Sequence, residues 1–445
     1  MMQAVQYGDE SALRAATERL RQLPPLVTSS EVETLKAQIT EAQEGRRFIL
    51  VGGDCAETLA DCRDDIITSK LKILLQMSLI LVHASQRPVT RIGRFAGQYA
   101  KPRSQPTEER RDAEGNALVL PSYFGDLVNR EEFTAEARRP DPALLLEGYK
   151  HAALTLNFIR SLSRSGFADI QHLDNWDLRG LGASQLPKEL QDSYRETSDE
   201  VRRALGFMSS FRDLKRDDLT KVEFFTSHEA LNLEYEAAQT RQVPRRDGWY
   251  CLTTHLPWIG ERTRDPGGAH VDFCRGLANP VGVKIGPGTK PSELKTLLDT
   301  LNPTNEAGKT VLITRLGDDQ VASALPPLIE AIQAEGRHVL WMCDPMHGNT
   351  EITAAGRKTR SYDRVLREIS EVMLVHRAQG TWFGGVHFEL TGDDVTECIG
   401  GAAGITESDL DTNYATACDP RLNYRQALEM AFAVAREMKA NHSSP

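Results

Sequence analysis

The chain has 445 residues, 40% of them apolar and 26% charged, with a formal net charge of -10. That is enough for one large core or two modest ones, and the composition is that of an ordinary folded domain. The negative balance argues against nucleic acid or an anionic membrane as the main partner, so an anion site must be a local cluster of cations. No apolar run approaches the ~18 residues of a spanning helix. The nearest, Leu71–Val82, carries Lys72 and suits a buried amphipathic helix. The opening residues lack a basic stretch followed by an apolar one, so secretion is not expected. Seven cysteines (55, 62, 251, 274, 343, 398 and 418) are dispersed without CxxC pairing, the pattern of reduced thiols in a cytoplasm.

In chain order, residues 1–46 read as an N-terminal helical extension. Ser11 caps a first helix that ends before Pro24-Pro25. Ser30 and Glu33 form a capping box for a second, which Gly45 terminates. From 47 to 445 a strand–helix rhythm follows. Eight segments read as strands: FILVGG (48–53), VTRIGRF (89–95), VEFFTS (222–227), WYCLTT (249–254), VGVKIG (281–286), TVLITRL (310–316), HVLWMC (338–343) and GVHFEL (385–390). Most are near-continuous apolar runs, as parallel strands covered on both faces require. Helical periodicity occupies Ala143–Leu162, Pro291–Leu301, Leu325–Ala334, Asp363–Arg377 and Tyr424–Lys439. Eightfold alternation predicts an α/β fold, a (β/α)8 TIM barrel. An open doubly wound sheet is the alternative, weakened because no GxGxxG follows the first strand. Two stretches break the rhythm. One is polar, 96–141. The other, about 164–221, reads as a helical insertion before the third strand, with a helix near Pro187–Ser210 and FADIQHL (167–173) as an extra strand.

Barrel chemistry sits where strands end, and several of these strands end in polar residues. WMCDPMHGNT is the clearest: Pro345 stops the strand and His347 follows in a loop. Cys55 follows the first strand, Glu389 ends the eighth, and Asp419 lies in the last loop. Thiolate, imidazole and carboxylate together suit Mn²⁺, Fe²⁺, Co²⁺ or Zn²⁺, whereas Mg²⁺ and Ca²⁺ prefer oxygen throughout. Taken singly, each has a plainer reading: a core thiol, a loop cap, an ion pair, a turn cap. A second group is cationic: Arg94, Lys101, Arg103, Arg262, Lys284 and Arg315. Lys284 and Arg315 interrupt apolar strands, which is costly unless they meet anions, either a barrel carboxylate or a bound ligand. Arginine offers a two-pronged fork to phosphate and carboxylate. A metal beside such a pocket fits a small, highly anionic substrate.

The segments GGDCAE, RIGRFAGQYAKPRS, SHEALNLEYE, WIGERTR, NPVGVKIGP, CDPMHGNT, GGVHFELTGDDVTECIGG and CDPRLN together resemble class II 3-deoxy-D-arabino-heptulosonate 7-phosphate (DAHP) synthase, from about Arg47 to the C-terminal helix. The resemblance implies condensation of phosphoenolpyruvate with erythrose 4-phosphate, releasing phosphate, at the entrance to the shikimate pathway of aromatic amino acid biosynthesis. It implies a divalent metal, Mn²⁺ foremost, on Cys55, His347, Glu389 and Asp419. Phosphoenolpyruvate would be held by Arg94, Glu261, Arg262, Lys284 and Arg315, and the aldose phosphate by Lys101, Arg103 and Ser104. Lys284 would serve as general acid, and Glu261 would activate water. A homo-oligomer, dimer or tetramer, is expected, as is control by an aromatic amino acid. Cys418, next to Asp419, is expected to approach Cys55. Rival readings are an amino-sugar variant serving phenazine or antibiotic pathways, a metal-dependent phosphate-ester hydrolase, and a barrel retired to a binding role.

Overall fold

The computed structural model describes residues 3, 5–111, 116–164, 187–209, 223–416 and 418–442. Eight parallel strands close into a barrel: β1 (Phe48–Gly53), β2 (Val89–Arg94), β3 (Phe224–Glu229), β4 (Leu256–Ile259), β5 (Val281–Ile285), β6 (Thr310–Thr314), β7 (Leu340–Cys343) and β8 (Gly385–Glu389). Each pairs with its neighbour in chain order, and β8 returns to β1. Gly53 therefore stands opposite Glu389 on one side and Arg94 on the other. Every residue of β1, β4, β5, β6, β7 and β8 is buried, which is why these strands read as apolar runs rather than as alternating ones.

The N-terminal helices are α1 (Glu10–Gln22) and α2 (Ser29–Gln43). The second closes the end of the barrel where the strands begin. Its Leu35, Ile39 and Ala42 join one apolar cluster with Ile49, Val51, Ile92, Val311, Ile313 and Met342 from the strands. Gln38 bonds Thr90 at the start of β2 and Glu223 just before β3. With one end stoppered, polar residues of the barrel collect at the other.

Four expectations change. WYCLTT is not a barrel strand: Trp249–Cys251 pairs antiparallel with Thr240–Gln242, and β4 is the Leu256–Ile259 run that follows. Pro257 lies inside β4, where a missing N–H makes a strand hard to anticipate. The first helix is capped by Asp9 rather than Ser11. The second uses Thr28 and Glu31 as its capping box rather than Ser30 and Glu33, while Glu33 instead accepts from the Tyr250 hydroxyl. Finally, the Leu71–Val82 run belongs to a 22-residue helix, Asp64–Ser85, long and apolar enough by length and composition to cross a membrane. Most of that helix is buried, and it packs against the C-terminal helix Tyr424–His442 and strands β1 and β2.

The segment after β2 carries a hairpin, Thr107–Arg111 with Ala117–Pro121. The insertion contributes a helix, Lys188–Ser209, close to the expected span. FADIQHL (167–173) lies outside the described residues.

Gly53 couples β1 to the site. Its φ is +143°, and a Cβ there would lie 2.7 Å from the Arg94 carbonyl oxygen, a backbone atom that cannot swing aside. Gly53→Ala should lower stability by about 1–3 kcal/mol. The expected result is a lower urea midpoint at unchanged m-value.

Candidate active site

The polar mouth is assembled from strand ends and the loops that leave them. His347 lies in the short helical turn after β7, Glu389 is the last residue of β8, Cys55 follows β1, and Asp419 comes from the loop before the C-terminal helix. Ligand atoms of His347, Glu389 and Asp419 lie within 4.8 Å of one another, as do those of Cys55, Cys418 and Asp419. Asp419 is common to both groups and brings the thiol side and the imidazole side together. Cys418 reaches Cys55, the two thiols sharing a hydrogen bond.

Each donor is oriented by a neighbour. His347 Nδ1 lies 2.6 Å from Asp344 Oδ2, and its Nε2 points at Glu389 Oε1, 3.1 Å away. A carboxylate on one imidazole nitrogen fixes the ring and turns the other nitrogen toward the cluster, the usual support of a metal-binding histidine. Glu389 is wholly buried and is bonded by Arg94 at 3.0 Å and Arg360 at 2.6 Å. Lys358 pairs with Asp419 at 2.8 Å. Burial pushes the Cys55 thiol well above its ordinary range, and Cys418, Glu389 and Asp419 add to that. A nearby divalent cation would reverse the effect, since a coordinated thiol gives up its proton. The donor set is thus chemically suited to one ion of the borderline class.

Beside this cluster lies a buried cationic floor. Lys284, within β5, contacts Asp344 and comes 3.1 Å from His387 Nδ1. Arg94 donates to the carbonyl oxygens of Asp54 and Cys55 and stands 3.4 Å from the same His387 nitrogen. Both cations lie over the Trp258 ring, at 5.0 and 5.6 Å from its centroid. Burial pulls Lys284 down to about 8, and Arg94 adds to this against the pull of Asp344. For Asp344, burial alone would raise the carboxyl, but His347 and Lys284 outweigh it and hold it well below the carboxylate range.

The remaining positions named from sequence are placed as follows. Arg315 donates to the His347 carbonyl oxygen at 3.0 Å. Glu261 accepts from Arg264 at 2.9 Å and overhangs Gly286, where a Cβ would meet its carboxylate. Arg262 is exposed and Lys101 buried, and Lys101 acts on the charge of Cys418. Arg103 pairs with Glu108 of the hairpin at 2.6 Å, and Ser104 is exposed.

Sequence reasoning gave no role to four groups that the fold brings here: Asp344, His387, Arg360 and Glu229. Asp344 was visible as a strand-end acid, and its position three residues before His347 was the available signal. Glu229 ends β3, and burial raises its carboxyl to about 7 despite Lys284, His347 and Arg94. Gly260 permits its approach, since a Cβ there would stand 2.0 Å from the Glu229 oxygen. His387 and Arg360 carry no local signal, one being an inward residue of an apolar strand and the other lying in a short hairpin after β7.

The sequence pattern of the Class-II DAHP synthetase family matches residues 1–435. The chain belongs to that family. The match includes the two N-terminal helices as well as the barrel. Among curated relatives, a phospho-2-dehydro-3-deoxyheptonate aldolase of Neurospora crassa is 45% identical, covering 97% of this chain and 91% of the relative. One of Streptomyces coelicolor is 44% identical, over 97% and 94% of the two chains. One of Mycolicibacterium smegmatis is 42% identical, over 97% and 91%.

In this family member Asp344 orients both His347 and Lys284. Asp344→Asn keeps the shape and removes the charge. It should weaken divalent-metal affinity by about 10–100-fold, the usual loss when a metal ligand's supporting carboxylate is removed. Titration of the metal-free protein with Mn²⁺, followed by electron paramagnetic resonance of the free ion, measures it.

Proposed function

We propose that the barrel mouth is where this family member condenses phosphoenolpyruvate with erythrose 4-phosphate and water to give DAHP and phosphate, with one divalent ion held by Cys55, His347, Glu389 and Asp419. The observation that carries the reading is Asp419, shared between the two donor groups, one of which is tied to the buried floor by the Glu389–Arg94 bond and by Asp344 between His347 and Lys284. When bound, the ion would supply Lewis-acid polarisation of the aldehyde oxygen; the mixed donors accept Mn²⁺, Fe²⁺, Co²⁺ or Zn²⁺, and the family resemblance puts Mn²⁺ first.

The chain's own residues do the rest. Arg94, Arg262, Lys284 and Arg315 offset the phosphate and carboxylate charge of phosphoenolpyruvate and set its C3 against the aldehyde carbon. The second phosphate is assigned to Lys101, with Arg103 and Ser104; Arg103 reaches it by exchanging Glu108 for the phosphate. As the carbon–carbon bond forms, Lys284 gives its proton to the aldehyde oxygen. Water then adds at C2, with Glu261 taking its proton, and the resulting hemiketal phosphate loses inorganic phosphate by cleavage of its C2–O bond. Glu229, with a carboxyl near neutrality, is a second group able to pass a proton at this floor.

Treatment with EDTA should abolish phosphate release from the paired substrates, and added Mn²⁺ should restore it. Phosphate released from phosphoenolpyruvate alone would contradict the reading and favour a hydrolase. Lys284→Ala should lower kcat/KM by about 10²–10³-fold, equivalent to ~3–4 kcal/mol of transition-state stabilisation. Because Lys284 acts in its protonated form and titrates at about 8, the rate should be full below that pH and fall above it. A profile still flat at pH 9.5, roughly 1.5 units past that value, would remove Lys284 as the acid.

A further inference from the structure

The end of the barrel where the strands begin, remote from the mouth, contains a cavity of about 220 Å³ lined by Arg87, Met373, His376, Trp382, Phe383 and Met438, with Arg377 and Thr381 at its edge. Arg87 precedes β2, and Trp382 and Phe383 lead into β8. His376 lies near the end of the helix Tyr362–Ala378, and Met438 is in the C-terminal helix. The volume is below the ~300–1,000 Å³ of sites for drug-sized ligands, so a one-ring molecule fits where a nucleotide does not.

Three of its buried polar atoms lack partners. The Arg87 guanidinium stacks over the Trp382 ring at 4.2 Å, yet its buried Nη1 makes no hydrogen bond. Among the described residues no carboxylate lies within ion-pairing distance of Arg87 or Arg377. The indole Nε1 of Trp382 is also buried and unbonded. His376 is 2% exposed; its Nδ1 is 2.8 Å from the Thr381 hydroxyl, and its Nε2 has no partner. Buried donors left unpaired are costly, and two on the lining of one cavity, Arg87 Nη1 and Trp382 Nε1, mark a place where a ligand's acceptors would be satisfied. The rest of the lining is aromatic or thioether, which suits a flat apolar body. No acidic residue lines it, so an ammonium group would find no counter-charge beside two arginines.

We propose that this cavity binds a small carboxylate carried on an aromatic or unsaturated ring, one without a free ammonium group. The guanidinium and indole N–H groups take the carboxylate, and Phe383 and the two methionines take the ring. The site is independent of the catalytic mouth. It abuts α2, because Gly45, just past that helix, faces the Trp382 ring; a Cβ there would lie 3.2 Å from the indole.

Isothermal titration of the full chain with benzoate tests this. Saturable one-site binding is expected, at least about tenfold weaker for benzamide, which lacks the charge, and for 4-(aminomethyl)benzoate, which adds an ammonium. Arg87→Met removes the fork and Met438→Trp fills the cavity from another element. Each should weaken benzoate at least about tenfold and leave condensation activity unchanged, which also reports that the variant is folded. If one variant fails to fold, the other decides. Absence of saturable binding, benzoate binding that survives the folded variants, or equal binding of either control compound would overturn the proposal.

Discussion

The structure depends on keeping Glu389 charged where no water reaches it. Burial alone would drive that carboxyl neutral, yet His347, Arg360 and Arg94 outweigh the penalty and hold it well below its usual range. The compensation is mutual. Arg94 and Arg360 are themselves almost wholly buried, and each would be an unpaired interior charge without Glu389. A second knot, Asp344 with Lys284 and His347, is built the same way, and the two meet at His347. A third links Asp54 to Lys70 and to Arg421, which also grips Glu397. Such networks are poor sources of stability compared with well-packed apolar residues. Their value is positional: these side chains are held by more than one partner, which orients them toward the mouth.

The barrel makes this arrangement affordable. Strands buried on both faces and stoppered at one end by α2 give an apolar cylinder, and the charged residues gather beyond its apolar layers at the other end. There Trp258 serves both sides, presenting its ring to Lys284 and Arg94 while standing edge-on to His387. The ring shields the cations from water without offering them an anion. Phosphate and carboxylate are the chemical complement to such a floor, and the donor cluster lies beside it.

Much of this was legible in the sequence, for physical reasons. Most of the barrel strands are apolar runs, and burial on both faces leaves no other pattern available. Strand-end residues such as His347, Glu389 and Lys284 stood out because polar groups at the end of apolar runs need an explanation. The fourth strand was misread because WYCLTT has stronger strand character than LPWI, whose proline forfeits a ladder bond. The capping box of the second helix was misplaced by two residues because S-x-x-E and T-x-x-E overlap at Thr28–Glu33, and local rules cannot rank them. Arg360 and His387 were invisible because their importance comes from partners far away in the chain: Arg360 meets the end of β8, and His387 meets residues of β2 and β5.

The central claim, that Cys55, His347, Glu389 and Asp419 share one divalent ion, is tested most directly by the optical spectrum of the Co²⁺-loaded protein. The account predicts a thiolate-to-cobalt charge-transfer band that Cys418→Ser leaves in place and Cys55→Ser eliminates. A Co²⁺ protein lacking that band, or one in which Cys55→Ser leaves it intact, would contradict the account.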